Sequence, residues 1–182
     1  LEFRRVLFRS LDAIALETED MEQSGRMYCG GTADIHKCFD QILRPVVYKV
    51  AALAGMPRAV LWTYGRYQES LVVRNAVAGG LGQPYRKATS IPQGDPFSMM
   101  LVALIMRPWI LEMRRLGARG RVLADDILVT AKGNMHREVF MDSFDLTHRY
   151  LHDMGAKLAP VKSFTFSTNR GTRRKLAEHM WQ

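Results

Sequence analysis

A chain of 182 residues with 47% hydrophobic content can bury one substantial core, so a single domain is the natural reading. Its formal net charge of +8 and pI near 9.8 favour a polyanionic partner. The longest apolar run, residues 97–106, is too short to span a bilayer, and two cysteines give no disulfide framework, so membrane-spanning and disulfide-stapled secreted classes are set aside.

The first ten residues look foreign: Leu7-Phe8-Arg9-Ser10 is what the end of a common sequencing adapter encodes when read in frame. Residues 1–10 are therefore treated as an adapter-like scar. Three arginines and one glutamate leave with them, so the net charge falls from +8 to +6 and stays basic. Residues 11–24 read as an acidic amphipathic helix, and a strand over about 26–35 carries Asp34. Cys29 and Cys38 lie in or beside that strand and read as buried free thiols, which fits a reducing intracellular compartment. Pro45 suits the first turn of a helix that stops at Gly55, and Met56-Pro57 opens another reaching about residue 69. The aromatics of this second helix, Trp62, Tyr64 and Tyr67, are expected to pack rather than stack on bases.

Residues 71–77 are strand-like, and Gly79-Gly80-Leu81-Gly82 is a flexible connection. From about residue 97 a helix is apolar almost all round, which predicts a buried central element that Pro108 kinks or limits. Gly117 and Gly120 punctuate the entry to a short hairpin. A helix over about 134–154 ends at Gly155. Its His148 and His152 have a spacing that can bind zinc, but no third ligand is evident and a solvated or partly packed pair is favoured. A last strand over about 157–166 leads into a basic tail at 168–182. Strands, helices and one hairpin together predict an α+β fold, an antiparallel sheet with helices packed on one face.

Three segments carry chemistry. In Arg121-Val-Leu-Ala-Asp125-Asp126-Ile-Leu-Val-Thr130, two carboxylates sit between apolar runs, where a tight turn would place them at a hairpin tip. Adjacent carboxylates repel and lose solvation, and a divalent cation such as Mg²⁺ is the obvious compensation. Alone, an Ala-Asp-Asp is better read as an ordinary solvated turn. Upstream, however, Asp34 ends a strand five residues before Phe39-Asp40, and Ser90-Ile-Pro92-Gln93-Gly94-Asp95-Pro96-Phe97-Ser98 makes a turn-rich loop opening a helix, a place that favours anions. Five arginines (Arg107, Arg114, Arg115, Arg119, Arg121) fall within fifteen residues against one acid, Glu112. A solvated basic face is the bland reading. With the acidic motifs beside it, contact with nucleic-acid phosphate becomes the better one.

The order Asp-x4-Phe-Asp, Gln-Gly-Asp-Pro-Phe-Ser, Ala-Asp-Asp resembles the palm of reverse transcriptases, especially those of non-LTR (LINE-like) retrotransposons, over about residues 27–167. The resemblance implies an RNA-directed DNA polymerase with a palm-like antiparallel sheet. It makes Asp34, Asp125 and Asp126 the catalytic carboxylates. Two Mg²⁺ ions, with Mn²⁺ as a substitute, would be held by Asp34, Asp125 and the backbone carbonyl of Ile35. Phe39 would lie beneath the incoming sugar, Gln93 and Gly94 would hold the nucleotide, and Lys162, in Gly155-Ala-Lys157-Leu-Ala-Pro-Val-Lys162, would reach its phosphates. Pro96, Ser98, Leu123, Arg114, Arg115, Arg119 and Arg121 would meet template and primer. Leu123 stands where the family carries Tyr or Phe, and Ala159 where it carries Asn. The implied partners are an RNA template, a DNA primer and deoxynucleoside triphosphates, with no membrane. Residues 11–167 would then be palm with part of the fingers, the remaining fingers and the thumb belonging to the parent polypeptide. A LINE-like element would act in the nucleus. The runner-up is a catalytically incomplete remnant that serves as a basic nucleic-acid-binding module. An RNA-dependent RNA polymerase is disfavoured, because Ala124 stands where those enzymes carry Gly and Phe39 resembles a gate against ribose.

Overall fold

The structure is a computed structural model that describes residues 2–92, 94–123 and 126–181, with side chains from Asp12 onward, Leu123 excepted. Helix α1 (Glu2–Gln23) precedes strand β1 (Tyr28–Asp34), the one-turn helix α2 (Cys38–Gln41), α3 (Arg44–Leu53) and α4 (Arg58–Ser70). A short ribbon, β2 (Ala76–Val77) and β3 (Gly80–Leu81), leads to α5 (Ser98–Arg115), β4 (Arg119–Leu123) and β5 (Asp126–Lys132). The chain continues through α6 (His136–Asp153), a 3₁₀ turn (Pro160–Lys162), β6 (Phe164–Ser167) and α7 (Arg170–Glu178).

The main sheet has the order β4-β5-β1-β6 and is antiparallel throughout, so β1 is central. Side chains alternate along a strand, which divides β1 into two sets. Cys29, Ala33 and Ile35 are buried on the side covered by α5 and α6, with Ile127, Val129 and Ala131 of β5 beside them. Tyr28, Thr32 and Asp34 share the other side. Two glycines at the middle of β1 permit close packing on both. A Cβ at Gly30 would lie 2.6 Å from Phe166 Cζ and 2.9 Å from the Val129 carbonyl oxygen, and one at Gly31 would lie 2.8 Å from Phe140 Cζ.

Between helices and sheet the core is apolar with a few buried polar groups. Trp109 is fully buried against Gly120, and its indole Nε1 donates to Thr147 Oγ1 at 3.0 Å. Helix α5 stops at Gly117, whose φ of +82° suits a residue without Cβ, and the Ala118 amide donates back to the Met113 carbonyl at 2.9 Å.

Several elements depart from the sequence-based expectations. Helix α5 is not buried all round: Leu101, Val102, Ile105, Met106, Trp109 and Met113 form its buried stripe, while Met99, Met100 and Leu111 are exposed. Nor does Pro108 end it, since α5 runs on to Arg115. A helix can lack one interior N–H bond when a whole stripe of its side chains is packed. The strand expected over 71–77 shrinks to a two-residue pair plus the Val73–Tyr85 bridge, with Val72, Val77 and Leu81 exposed rather than packed on a core. The last strand begins only at Phe164, after Leu158 bridges Ile35 and Pro160 opens a 3₁₀ turn. Within the basic tail, α7 is capped by Asn169, whose Oδ1 accepts from the Thr172 amide at 3.0 Å, and Leu176 is buried.

Candidate active site

Strands β1 and β5 place Asp34 directly opposite Asp126 in the last rung of their ladder. Directly opposed residues of an antiparallel pair point to the same side, with Cβ atoms roughly 4.5–5.5 Å apart. Leu123 of β4 pairs with Asp126 in turn, so three strands end together there. The Asp34 side chain is only 13% exposed, and the Lys162 ammonium stands 3.5 Å from its Oδ2. Since Lys162 itself is 72% exposed, that pair is worth at most about 1 kcal/mol and leaves the lysine free to swing to another anion.

The chain after α6 is laced to the tip of β1, and this delivers Lys162. The His36 amide donates to the Lys157 carbonyl at 2.8 Å, and the Ala159 amide donates to the Asp34 carbonyl at 2.9 Å. Ile35, buried between them, bridges to Leu158. Gln41 closes the arrangement, its Oε1 accepting from the Lys157 amide at 2.6 Å.

Asp125 and Gln93, both expected in the site, lie outside the described residues. Among the described residues no group of three or more His, Cys, Asp and Glu side chains could by itself hold a metal ion. The donor chemistry nevertheless fits a hard divalent cation. Two carboxylates facing each other across a ladder are destabilising unless positive charge lies between or beside them, and oxygen ligands of this kind are what Mg²⁺ takes.

Phe39, on α2, is half-buried against the core. Its backbone carbonyl accepts from the Ile91 amide at 2.9 Å, which ties α2 to the turn-rich loop at 90–97. Asp40 beside it is exposed and paired with Lys87 at 2.7 Å; the hydrogen bond and charge of that ammonium hold its carboxyl below the usual carboxylate value. In the loop, Gly94 is exposed with φ +85° and Pro96 is exposed. Ser98 is buried, and its hydroxyl donates to the Asp95 carbonyl at 2.8 Å as part of the start of α5.

The arginines expected at nucleic acid occupy different places. Arg114 and Arg115 are exposed on the last turn of α5, with Arg115 paired to Glu112 at 2.6 Å. Arg119 is four residues from Leu123 along β4, roughly 13 Å from the carboxylate end of the sheet. Arg119 and Arg121 share the Asp34 side of the sheet, as their partners Thr130 and Leu128 do, but both are engaged by Glu17 of α1. Arg119 reaches Glu17 at 3.1 Å, and the Arg121 guanidinium donates to the same carboxylate. Burial acts to raise the Glu17 pKa, but hydrogen bonds and charge from Arg121 and Arg119 outweigh it, and the net shift is downward.

Sequence reasoning missed Glu17 and the buried Arg44. A cation in the first turn of a helix opposes the helix dipole, and an arginine immediately before Pro45 was the available signal that something else holds it.

A family model described as reverse transcriptase (RNA-dependent DNA polymerase) matches residues 2–175. No curated protein matches the chain. Apo telomerase from Candida tropicalis, truncated from its C-terminal domain, is similar with a TM-score of 0.62 at 12% identity, covering 87% of this chain and 35% of that one. Telomerase from the same organism in complex with a fragment of telomeric RNA gives 0.64 at 11%, covering 90% and 30%, and that of Candida albicans in the corresponding complex gives 0.57 at 15%, covering 88% and 32%. The chain thus spans about a third of the length of these solved structures, and at such identities the likeness is one of fold.

Proposed function

This chain belongs to the reverse transcriptase (RNA-dependent DNA polymerase) family, and on that premise we propose that it is the palm of a non-LTR enzyme catalysing template-directed nucleotidyl transfer. The observation that carries the reading is the shared rung of Asp34 and Asp126 with Lys162 beside it. A primer 3′-hydroxyl attacks the α-phosphate of a deoxynucleoside triphosphate and pyrophosphate leaves. Asp34 and Asp125, with the carbonyl of Ile35, would hold two Mg²⁺ ions. When bound, such ions stabilise the attacking and leaving oxygens.

The chain's own residues do the rest. Asp126, opposite Asp34, sets the negative potential that draws cations to this end of the sheet. Lys162 exchanges its weak pairing with Asp34 for the nucleotide phosphates. Phe39 borders the sugar and excludes a 2′-hydroxyl. Template and primer are read through backbone and shape, with base pairing supplying sequence. A LINE-like parent would place this work in the nucleus.

The test is metal-dependent primer extension by the full-length polypeptide, with Asp34→Asn and Asp125→Asn as variants. Each removes a negative charge while nearly preserving shape, so extension should fall at least about a hundredfold, the scale of losing one electrostatic stabiliser of the transition state. Salt-sensitive binding of template–primer should persist. Robust extension by either variant would refute the assigned carboxylates. A wild-type polypeptide that binds and never extends would be the basic binding module instead.

A further inference from the structure

Four side chains outside the carboxylate rung hold the loop at 90–97 from both ends. At its far end, Asp95 is the hub. Its Oδ2 accepts from the Tyr64 hydroxyl at 3.0 Å and from Gln68 Nε2 at 3.0 Å, while Oδ1 accepts from the Phe97 amide at 2.8 Å. Tyr64 and Gln68 are buried on α4, and Tyr64 meets the Phe97 ring edge-on with centroids 5.3 Å apart. Burial first, then the Asp95 carboxylate, pushes the Tyr64 hydroxyl pKa up, so it remains a donor throughout the working pH range.

At the near end, Arg44 is buried with its Nε donating to the Ser90 carbonyl at 2.8 Å and its Nη1 to the Gln68 carbonyl at 3.1 Å. Ser90 is a non-glycine residue at φ +95°, a conformation that persists only where its surroundings over-determine it. Here they do: Arg44 holds its carbonyl, and its amide donates to the Ile42 carbonyl at 3.0 Å. One residue on, the Ile91 amide binds the carbonyl of Phe39. Gln68 joins the two ends, giving its side chain to Asp95 and its carbonyl to Arg44.

We propose that Arg44, Tyr64, Gln68 and Asp95 are positioning residues that fix the two ends of this loop, residues 90–91 and 95–97, relative to Phe39, and so set how tightly and how selectively the nucleotide is held. This rests on the polymerase reading above. None of the four belongs to the carboxylate rung, so their effect falls on nucleotide fit rather than on the chemical step. Buried hydrogen bonds of this kind stiffen the segments they join, although Gln68 Oε1 is buried without a partner among the described residues, and a displacement of order 1 Å in a substrate-positioning loop is enough to change kinetics by one to two orders of magnitude.

The experiment is single-nucleotide extension by the full-length polypeptide at varied deoxynucleotide and ribonucleotide concentrations. The double substitution Tyr64→Phe with Gln68→Met strips both donors from Asp95 Oδ2 at nearly constant volume. It should raise KM for the deoxynucleotide about tenfold with kcat within about twofold, and should lower discrimination against the ribonucleotide. Asp95→Asn, made alone with Tyr64 and Gln68 in place, should keep KM near wild type, because its amide nitrogen can donate to the Tyr64 hydroxyl and to a flipped Gln68 while its oxygen still accepts from the Phe97 amide. Unchanged KM and unchanged discrimination in a folded double variant would overturn the proposal, and so would a variant in which only thermal stability falls. If the double variant does not fold, Tyr64→Phe alone is read against the same two ratios. A wild-type polypeptide that never extends overturns this inference together with the polymerase reading, whereas an active wild type with an indifferent variant overturns the inference alone.

Discussion

Replacing Glu17 by glutamine tests how α1 is held on the carboxylate side of the sheet. Glu17 is 13% exposed and receives hydrogen bonds from Arg119, 63% exposed, and Arg121, 20% exposed. The Arg119 pair is screened and contributes little, while the partly buried bond from Arg121 to a carboxylate is worth about 1.5–3 kcal/mol, of which a glutamine oxygen keeps part. A net loss of about 1–2 kcal/mol corresponds to a fall in Tm of roughly 3–6 °C for a chain of this size. Because the folded-state pKa of Glu17 is depressed from 4.5, the stabilisation is fully present above that value and disappears as pH falls through the lowered pKa. Thermal melts followed by circular dichroism between pH 7 and pH 3 should therefore give a gap between wild type and variant that is constant near neutrality and closes below about pH 4.5. Equal melting temperatures at pH 7, or a gap that persists unchanged to pH 3, would refute the reasoning. Arg119 and Arg121, once released, are two more cations on the Asp34 side, so the slope of log affinity against log salt for nucleic acid should steepen by up to about 1.8. An unchanged slope would mean that phosphate lies elsewhere.

Two further outcomes follow from packing. Gly30→Ala drives a methyl group into Phe166 and the Val129 carbonyl, and since the latter is backbone it cannot swing away. The expected cost is about 1–3 kcal/mol, read as a lower urea midpoint with unchanged m-value, and a neutral substitution would show that the β1–β5 approach is looser than described. Cys29 is fully buried with its thiol donating to the His136 carbonyl, and burial pushes its pKa up to about 12. Alkylation by iodoacetamide at pH 8 should be slow in the native protein and appear at the rate of unfolding; prompt labelling of Cys29 under native conditions would contradict that burial.

Much of this protein can be read along the chain because its signals are local. Apolar runs flanking Asp126, the proline beginning α3 and the glycines closing α5 and α6 each act within a few residues, and the elements they announce are there. The serial order of the acidic segments was enough to suggest the family. What lay beyond the sequence were pairings closed by topology. Asp126 and Asp34 meet because β5 and β1 are neighbours in the sheet, and Lys162 arrives only because the segment after α6 hydrogen-bonds to the tip of β1. A run of arginines looked like one basic face. Folding split it, leaving Arg114 and Arg115 exposed on a helix end and binding Arg119 and Arg121 to Glu17, 102 and 104 residues away. Arg44, charged and near a helix start, is buried because two backbone carbonyls from distant segments converge on it. Propensity and periodicity fix what a segment becomes; which side chains then share a charge or a hydrogen bond depends on the order in which strands and helices close around one core, a property no local stretch contains.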